Sequence, residues 1–372
     1  MKSENDLTLR EKLAQMLIVG IDGTSVDESS KALVLSTKVG GIILYSKNTL
    51  TANDTFNLTY ALQELAAKNS LPLFIAIDEE HGRVSRIKSG TTHFVDMATI
   101  GRLDDLSVVK EIASITSREL IACGINMNFA PVCDVNVNPE NEVIGDRSFS
   151  SDPDVVAKMV TAYIEEGKKH GMIVCAKHFP GHGDTKIDSH FKLPKVDKDF
   201  DALKKCELIP FEAAIKVDVP CIMTAHILFN KISDMPATMS KEIIKGILID
   251  EFWYNGVIIS DDMDMAAIAD NYGMTEAFIL AINAGVNMFI VSNMLKHITD
   301  IDKLLGDLEA AVNSGDIAMK MVDESVEKIF KLKKKYINSI SREKQLREQS
   351  LRQVTSLKFA EHLEKKKRGF NG

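Results

Sequence analysis

Short runs of apolar, often β-branched residues recur along the chain at intervals of roughly 20 to 45 residues. Continuous apolar runs of this length are typical of strands that are buried on both faces, as parallel strands are. The predicted strands are "MLIVG" (16–20), "GGIILY" (40–45), "PLFIAID" (72–78), "MNFAPV" (127–132), "MIVCAKHF" (172–179), "CIMTAH" (221–226), "VIISDD" (257–262) and "MFIVS" (288–292).

Helical patterns with charged faces lie between these runs, for example at 105–124, 152–171 and 274–285. Strands that alternate with helices in this way predict an α/β fold, a single-domain (β/α)8 barrel of the TIM type, which takes about 250 residues and more with insertions. A doubly wound open sheet is the alternative. It would need a glycine-rich dinucleotide turn after its first strand, and "VGIDGTS" matches that turn poorly.

Polar residues follow several of the predicted strands directly. Asp78 follows "PLFIAI", Lys177 and His178 follow "IVCA", His226 follows "IMTA" and Asp261 follows "VIIS". In a barrel these strand ends converge on one mouth, where the chemistry of such folds takes place. The pattern therefore predicts an enzyme.

Composition limits the possible partners and the compartment. The 372 residues carry a net charge of −8, which argues against nucleic acid as a partner because a phosphate backbone requires a basic footprint. The five cysteines lack CxxC spacing, and several lie in apolar runs, so we interpret them as reduced core residues. The first residues do not resemble a signal peptide, and no apolar run approaches the roughly 20 residues of a membrane span. We expect a cytoplasmic protein that does not bind membranes.

The composition changes after about Tyr336. The barrel is predicted to occupy residues 1–336, and residues 337–372 form a charged extension that is helical in pattern, with an incomplete apolar stripe. One interpretation is a solvated helix or frayed tail, with Lys365 to Arg368 as its solvated end. The alternative is a helix that packs on its own barrel or on a second subunit.

The stretch "KHFPGHGDTKIDSH" (177–190) concentrates histidines and aspartates in a loop that proline and glycine prevent from being helical. A metal site, an acid/base assembly and a polar surface loop are the three candidates. The spacing matches neither the helical pairs nor the rigid-turn sets that zinc uses, so we expect no metal. Asp188 lies two residues before His190, where its carboxylate can accept the ring N–H and raise the basicity of the other nitrogen.

A second motif is "GVIISDDMDM" (256–265), in which a buried strand delivers Asp261 and Asp262 to its carboxyl end. Successive strand side chains point in opposite directions, so we expect one of the two to reach the mouth. A carboxylate aimed at a sugar carbon can act as the nucleophile of glycosyl transfer. Capping of the following helix is the structural alternative, and it accounts for only one of the two acids.

Trp253 is interpreted as structural, and the role of His226 is left open. Trp253, in "DEFWYNG", is predicted to pack between a helix and the next strand. His226 has the pattern of a core or supporting histidine as much as that of a ligand contact.

The motifs together resemble the bacterial β-N-acetylglucosaminidases of glycoside hydrolase family 3, the single-domain kind that acts in cell-wall recycling. The resemblance covers about 10 to 335, nearly everything but the tail, and its "KHFPGHG…DSH" block is highly specific. The matching segments are "EKLAQMLIVG" (11–20), "IDEEHGRVSR" (77–86), "GINMNFAPVCDVN" (124–136), "VIGDRSFS" (143–150), "AKHFPGHGDTKIDSH" (176–190), "MTAHILF" (223–229), "PATMS" (236–240) and "GVIISDDMDM" (256–265).

The resemblance implies a role for each matching residue. Asp261 corresponds to the catalytic nucleophile, His190 to the acid/base and Asp188 to the partner of that histidine. The residues that correspond to the sugar-binding set are Asp78, Arg86, Arg147, Lys177 and His178.

The implied function is that of a retaining exo-glycosidase. Such an enzyme removes terminal, non-reducing β-linked N-acetylglucosamine from small carbohydrates such as peptidoglycan fragments, through a glycosyl-aspartate intermediate and without a cofactor. Three alternatives stay open: phosphorolysis at the same site, a preference for β-glucosides, and a catalytically silent sugar-binding barrel.

One segment departs from the family pattern. The family usually has Asp-Gln-Glu-Gly-Gly-Arg where this chain has "DEEHGR", so that Glu79 replaces glutamine and His81 replaces glycine. A histidine adopts positive φ less readily than glycine does. We therefore expect the backbone beside Asp78 and the aglycone preference to differ from the family.

Overall fold

The computed structural model describes residues 2–185, 193–292, 300–337 and 357–369. Eight parallel strands within these ranges close into a barrel in which each strand pairs with its neighbours in chain order, and the last pairs with the first. The barrel strands are β1 (Leu17–Gly20), β2 (Gly41–Leu44), β3 (Phe74–Ile77), β4 (Met127–Asn128), β5 (Ile173–Phe179), β6 (Cys221–Thr224), β7 (Val257–Asp262) and β8 (Met288–Val291).

The predicted (β/α)8 barrel is confirmed, and each predicted strand contains one of the eight observed strands. Nearly all strand residues are buried, as expected when one face of each strand fills the barrel and the other packs against helices. The fourth strand is much shorter than the predicted 127–132 and ends at Asn128. The peptide bond between Ala130 and Pro131 is cis, and Pro131 lacks a backbone N–H to donate to a longer ladder.

Helices surround the barrel, and most of them begin at a residue whose side chain caps the helix. The Asp152 side chain accepts the N–H groups of Asp154 and Val155, and Pro153 is the first helical residue. The helices are α1 (Leu9–Gln15), α2 (Glu28–Ala32), α3 (Ala52–Ala67), α4 (Met97–Leu103), α5 (Leu106–Ala122), α6 (Pro153–Lys169), α7 (Phe200–Lys204), α8 (Ile209–Lys216), α9 (Ala266–Ala269), α10 (Met274–Ala284), α11 (Ile301–Ser314) and α12 (Met319–Tyr336).

Smaller elements complete the fold. Helix α2 continues into the π-helical turn Leu33–Thr37, and a longer π-helix spans Glu242–Glu251. Short 3₁₀ turns occupy Glu4–Asp6, Gly145–Arg147 and Ala237–Met239, and Lys195–Val196 pairs with Leu228–Phe229 outside the barrel. Residues 357–369 form a final helix. Within the described ranges, no helix has both the length and the apolar character needed to cross a membrane.

The packing predicted for Trp253 is wrong. Its side chain is 84% exposed, and its backbone is in the left-handed region with φ 56°. The following Tyr254 is buried instead and donates its hydroxyl to the carbonyl oxygen of Val219. The left-handed turn after the π-helix thus directs the tyrosine inward and the tryptophan into solvent.

Candidate active site

Four of the predicted site residues, Asp78, Lys177, His178 and Asp261, lie at or just after the carboxyl ends of barrel strands, and two of these strands are locally irregular. In β5 the register against β6 shifts around Lys177 and His178. In β7 the register against β8 shifts around Asp261. Such bulges interrupt the alternation of side chains and re-aim them, and they are common beside active sites. The same device therefore shapes both strands that carry predicted site residues.

A buried network of alternating charges occupies the mouth of the barrel. The Lys177 Nζ lies 2.7 Å from an oxygen of Asp78 and 2.5 Å from an oxygen of Glu80. Arg147 donates to both oxygens of Glu80, at 2.8 and 2.9 Å. Bidentate bonds of this kind fix the geometry of arginine as well as its charge. The network connects the loop after β3 to β5 and to the 3₁₀ turn that contains Arg147.

The shifts in the pKa values of Glu80 and Lys177 favour the charged forms of both groups. Burial alone would raise the pKa of the Glu80 carboxyl, but Arg147 and Lys177 lower it well below its usual range. Burial likewise would lower the pKa of Lys177, whereas Asp78 and Glu80 hold it above its usual value. A buried ion cluster is tolerated when its charges are paired in this way. It presents strongly polarised donors and acceptors at the mouth of the barrel.

Arg86 closes one side of this cluster. Its Nη2 lies 3.6 Å from the second oxygen of Asp78, and its guanidinium lies over the ring of Tyr45 at 5.8 Å from the centroid. The Glu79 carboxylate accepts the backbone N–H of Arg86 at 2.9 Å and also accepts the Ser85 hydroxyl. Within the described residues, the buried Nε of Arg86 has no hydrogen-bond partner.

Asp134 organises the start of the loop that follows β5. Its buried carboxylate accepts the ring Nδ1–H of His178 at 2.7 Å and the backbone N–H of His182 at 2.6 Å. Burial would raise the pKa of Asp134, but the two histidines outweigh it and lower the pKa. The bond from Nδ1 fixes the tautomer of His178, so that Nε2 is the ring nitrogen available to a ligand. Asn141 donates to the carbonyl oxygen of His182 at 2.7 Å and secures the loop from the other side.

The adjacent acids of β7 have different surroundings. The Oδ1 of Asp262 accepts the backbone N–H groups of Ser292 and Asp264, both at 3.1 Å. Burial raises the pKa of Asp262 to about 7. Asp261 is half-buried, and its Oδ1 accepts the N–H of Asp262 at 2.8 Å. His226 is within 3.0 Å of the Asp262 carbonyl oxygen and so supports this strand end, in the supporting position that the sequence left open for it.

The charges of the two strand ends act on one interior thiol. The pKa of Cys175 in β5 is raised first by burial and then, against Lys177, by the negative charges of both Asp78 and Asp261. The charges of Asp261, Asp78 and Lys177 therefore all act on the thiol of Cys175. Because β5 and β7 each pair with β6, the end of β7 that bears Asp261 lies one strand away from the end of β5 that bears Lys177.

Two of the predicted catalytic residues, Asp188 and His190, lie outside the described residues, and their roles stay predictions. Elsewhere in the same motif, Asp184 pairs with Lys198 at 2.9 Å, and a ring nitrogen of His182 lies 2.8 Å from the Thr185 hydroxyl. Across the described ranges, histidine, cysteine, aspartate and glutamate side chains do not gather into a group able to hold a metal ion.

Sequence reasoning missed Glu80 and Asp134, the two carboxylates that join the predicted sugar-binding residues. Both belong to quoted motifs, "DEEHGR" and "APVCDVN", and both follow predicted strands. The position at a strand end was therefore the available signal. Their burial and their partners on distant elements cannot be read from spacing along the chain.

Comparison with known proteins identifies similar chains within one family. Residues 8–332 match the model of the glycosyl hydrolase family 3 N-terminal domain. The chain is 38% identical over 335 residues to β-hexosaminidase A of Pseudoalteromonas piscicida, covering 84% of this chain and 56% of that protein. It is 33% identical over 299 residues to a β-hexosaminidase of Alkalilimnicola ehrlichii, covering 77% of this chain and 85% of that one.

A solved structure is similar over almost the whole chain. The family 3 β-N-acetylglucosaminidase of Paenibacillus sp. str. FPU-7 has a TM-score of 0.89 and 35% identity, with 97% of this chain and 69% of that chain covered. The family match over most of the chain and the two β-hexosaminidase relatives lead to the same assignment. The chain belongs to glycoside hydrolase family 3.

Proposed function

We propose that the protein is a retaining exo-glycosidase that releases terminal, non-reducing β-linked N-acetylglucosamine. The observation that carries this proposal is the buried network of Asp78, Lys177, Glu80 and Arg147 at the barrel mouth, where the strand end that bears Asp261 also lies. Pre-positioned carboxylate and cationic groups of this kind hold ring hydroxyls in fixed directions. The guanidinium of Arg86, whose Nη2 lies 3.6 Å from Asp78, adds a donor for a sugar oxygen on the same side.

In the proposed reaction, Asp261 attacks C1 of the sugar and forms a glycosyl-aspartate ester. The C1–oxygen bond to the leaving group breaks at the same time, and that oxygen takes a proton from His190. The neutral His190 then removes a proton from water, which attacks C1 and releases the sugar with its β configuration retained. Asp188 would hold the imidazole in the correct tautomer.

We further propose that the sugar comes from fragments of peptidoglycan and that the enzyme acts in the cytoplasm. Hydroxyl-binding groups at the mouth suit a small soluble saccharide. Cys175 and Cys221 lie opposite each other on neighbouring strands as thiols, which suits a reducing compartment. Muropeptide and chitooligosaccharide substrates tested side by side, together with cell fractionation, would test both statements.

The central test compares wild type with Asp261→Asn on an aryl β-N-acetylglucosaminide. Loss of the nucleophile is expected to lower kcat by at least about 10³-fold. Asp262→Asn is the matched control, because one amide oxygen can still accept the bonds from Ser292 and Asp264. It is expected to retain most of the activity. Equal losses in the two variants would contradict the assignment of Asp261.

The products distinguish the proposal from its alternatives. If NMR recorded before mutarotation shows the β anomer of N-acetylglucosamine as the first product, the result would support retention. Sugar 1-phosphate formed in phosphate buffer would indicate phosphorolysis, and faster cleavage of the aryl β-glucoside would indicate a β-glucosidase. A wild type no more active than Asp261→Asn, but still able to bind N-acetylglucosamine, would indicate a silent sugar-binding barrel.

A further inference from the structure

The final helix, residues 357–369, packs on the barrel through one of its faces, and we name it the brace helix. Phe359, Leu363 and Lys367 recur every four residues and so lie along the same side of the helix. Leu363 is fully buried and Ala360 is nearly so, and both belong to the main hydrophobic core. Of the two interpretations of the tail, packing on its own barrel describes this segment.

The brace helix contacts the segment just before α4. The ring of Phe359 packs edge-on against Phe94 at 5.9 Å between centroids. The Lys367 Nζ lies 2.8 Å from an oxygen of Asp96, so Lys367 does not belong to a freely solvated end. Asp96 also caps α4 by accepting the N–H of Thr99 at 2.8 Å. The contacts therefore fall on a short segment that is itself fixed to the barrel.

The same segment holds the loop after β3, residues 78–84, which we name the β3 loop. Gly82 donates its N–H to the carbonyl oxygen of Phe94 at 3.1 Å. Gly82 has φ 58°, and a Cβ at this position would lie 2.9 Å from the Cα of Asp96. The β3 loop and the segment at 94–96 are thus in direct backbone contact, and movement of one requires movement of the other.

His81 provides the side-chain part of this connection. Its ring packs edge-on against Phe94 at 4.9 Å, and its Nε2 lies 2.6 Å from the Thr116 hydroxyl of α5. The backbone of His81 adopts φ 68° even though the residue is not glycine. A buried ring held on two sides can maintain this conformation, and a glycine would leave it without side-chain support.

We propose that the brace helix and His81 position the β3 loop for sugar binding, with His81 as a positioning residue. The inference rests on the proposed function because Asp78 and Glu80, the residues of this loop that hold Lys177, belong to the proposed sugar site. Contacts run without a gap from Phe359 through Phe94 to His81. Removing the ring at either end of this series releases the same loop.

A double-mutant cycle tests this coupling in the full-length chain. Phe359→Ala and His81→Gly are each expected to raise KM for the aryl β-N-acetylglucosaminide by about three- to tenfold. In the double variant the effect of Phe359→Ala should be smaller than in wild type, since the His81 ring, one of the two connections that transmit it, is already absent. Effects that multiply in the double variant would overturn the proposal. Phe359→Leu, which retains an apolar contact, is expected to have a KM close to that of wild type.

A second measurement separates this inference from the proposed activity. Hydrogen–deuterium exchange of the peptides covering 79–96 is expected to increase in Phe359→Ala. It should stay unchanged in Glu361→Ala, whose side chain is exposed on the same helix. Unchanged exchange in Phe359→Ala, or a lower melting temperature with an unaltered KM, would overturn the proposal. An inactive wild type with the expected exchange pattern would refute the proposed function alone.

Discussion

At the scale of single residues, the buried carboxyl group of Glu79 couples the site to pH. Burial raises its pKa from 4.5 to about 7, against the bonds from Ser85 and from the N–H of Arg86. Between these two pH values the folded protein keeps a proton that the unfolded chain has released. The stability contributed by this group is therefore complete below about pH 4.5 and is lost as the pH rises through about 7.

Glu79→Gln should remove this dependence. The glutamine oxygen can accept from Arg86, its NH₂ group can donate to Ser85, and the side chain stays neutral at every pH. Relative to this variant, the free energy of unfolding of wild type should fall by about 3 kcal/mol between pH 4.5 and pH 8. Urea unfolding across that range measures the difference, with the exposed Glu327→Gln as the control. Parallel curves for wild type and Glu79→Gln would contradict the argument.

At the scale of elements, the sequence predicts the barrel because each strand is a continuous apolar run and most helices have a capping residue or an amphipathic stripe. These signals are local, so the bounds of β7 (Val257–Asp262) agree with the predicted run. Register is not local. The shifts around Lys177 and Asp261 depend on neighbouring strands that are distant in sequence. For the same reason the role of Glu80 could not be predicted, because it depends on Lys177 and Arg147, which lie on other elements.

His81 shows a different limit of local reasoning. Its replacement of the family's glycine predicted an altered backbone, but the residue takes the left-handed conformation with φ 68°. Contacts with Phe94 and Thr116, neither of which is a sequence neighbour, stabilise that conformation. Whether aglycone preference differs stays a prediction.

The loop after β5 depends on a close backbone approach at Gly183. A Cβ there would overlap the carbonyl oxygen of Val135, which follows β4. Gly183→Ala should therefore displace the loop, destabilise the protein by about 2 kcal/mol and lower kcat/KM by about tenfold.

Gly306 is the matched control for this substitution. It lies exposed within α11, and a Cβ at this position would meet no atom within 4 Å. Gly306→Ala should raise stability by about 0.5 to 1 kcal/mol, because alanine loses less backbone entropy in a helix. Thermal melts and steady-state kinetics of both variants measure the effects. An active, undisturbed Gly183→Ala would show that the loop does not need this approach.

At the scale of the whole molecule, the charged network lies at one end of the barrel and a buried lysine, Lys333, lies at the other. Lys333 of α12 is buried beneath the amino ends of the strands, with its Nζ 2.7 Å from Gln15 and 5.0 Å from the centroid of the Phe74 ring. Burial lowers its pKa from 10.5 to about 7. The proposed reaction does not need a charge at Lys333, because the catalytic groups of such barrels lie at the carboxyl ends of the strands.

Lys333 changes the stability of the fold with pH in the opposite direction to Glu79. Between pH 7 and pH 10.5 the unfolded chain holds a proton that folded Lys333 has released, so stability rises with pH across this window. Lys333→Met removes the cost of the buried charge and also leaves Gln15 without a donor. The net gain at pH 6 should be about 2 kcal/mol, and it should shrink toward pH 10 while kcat stays unchanged. The exposed neighbour Lys334→Met is the control, and a loss of activity in Lys333→Met would show that the two ends of the barrel are coupled.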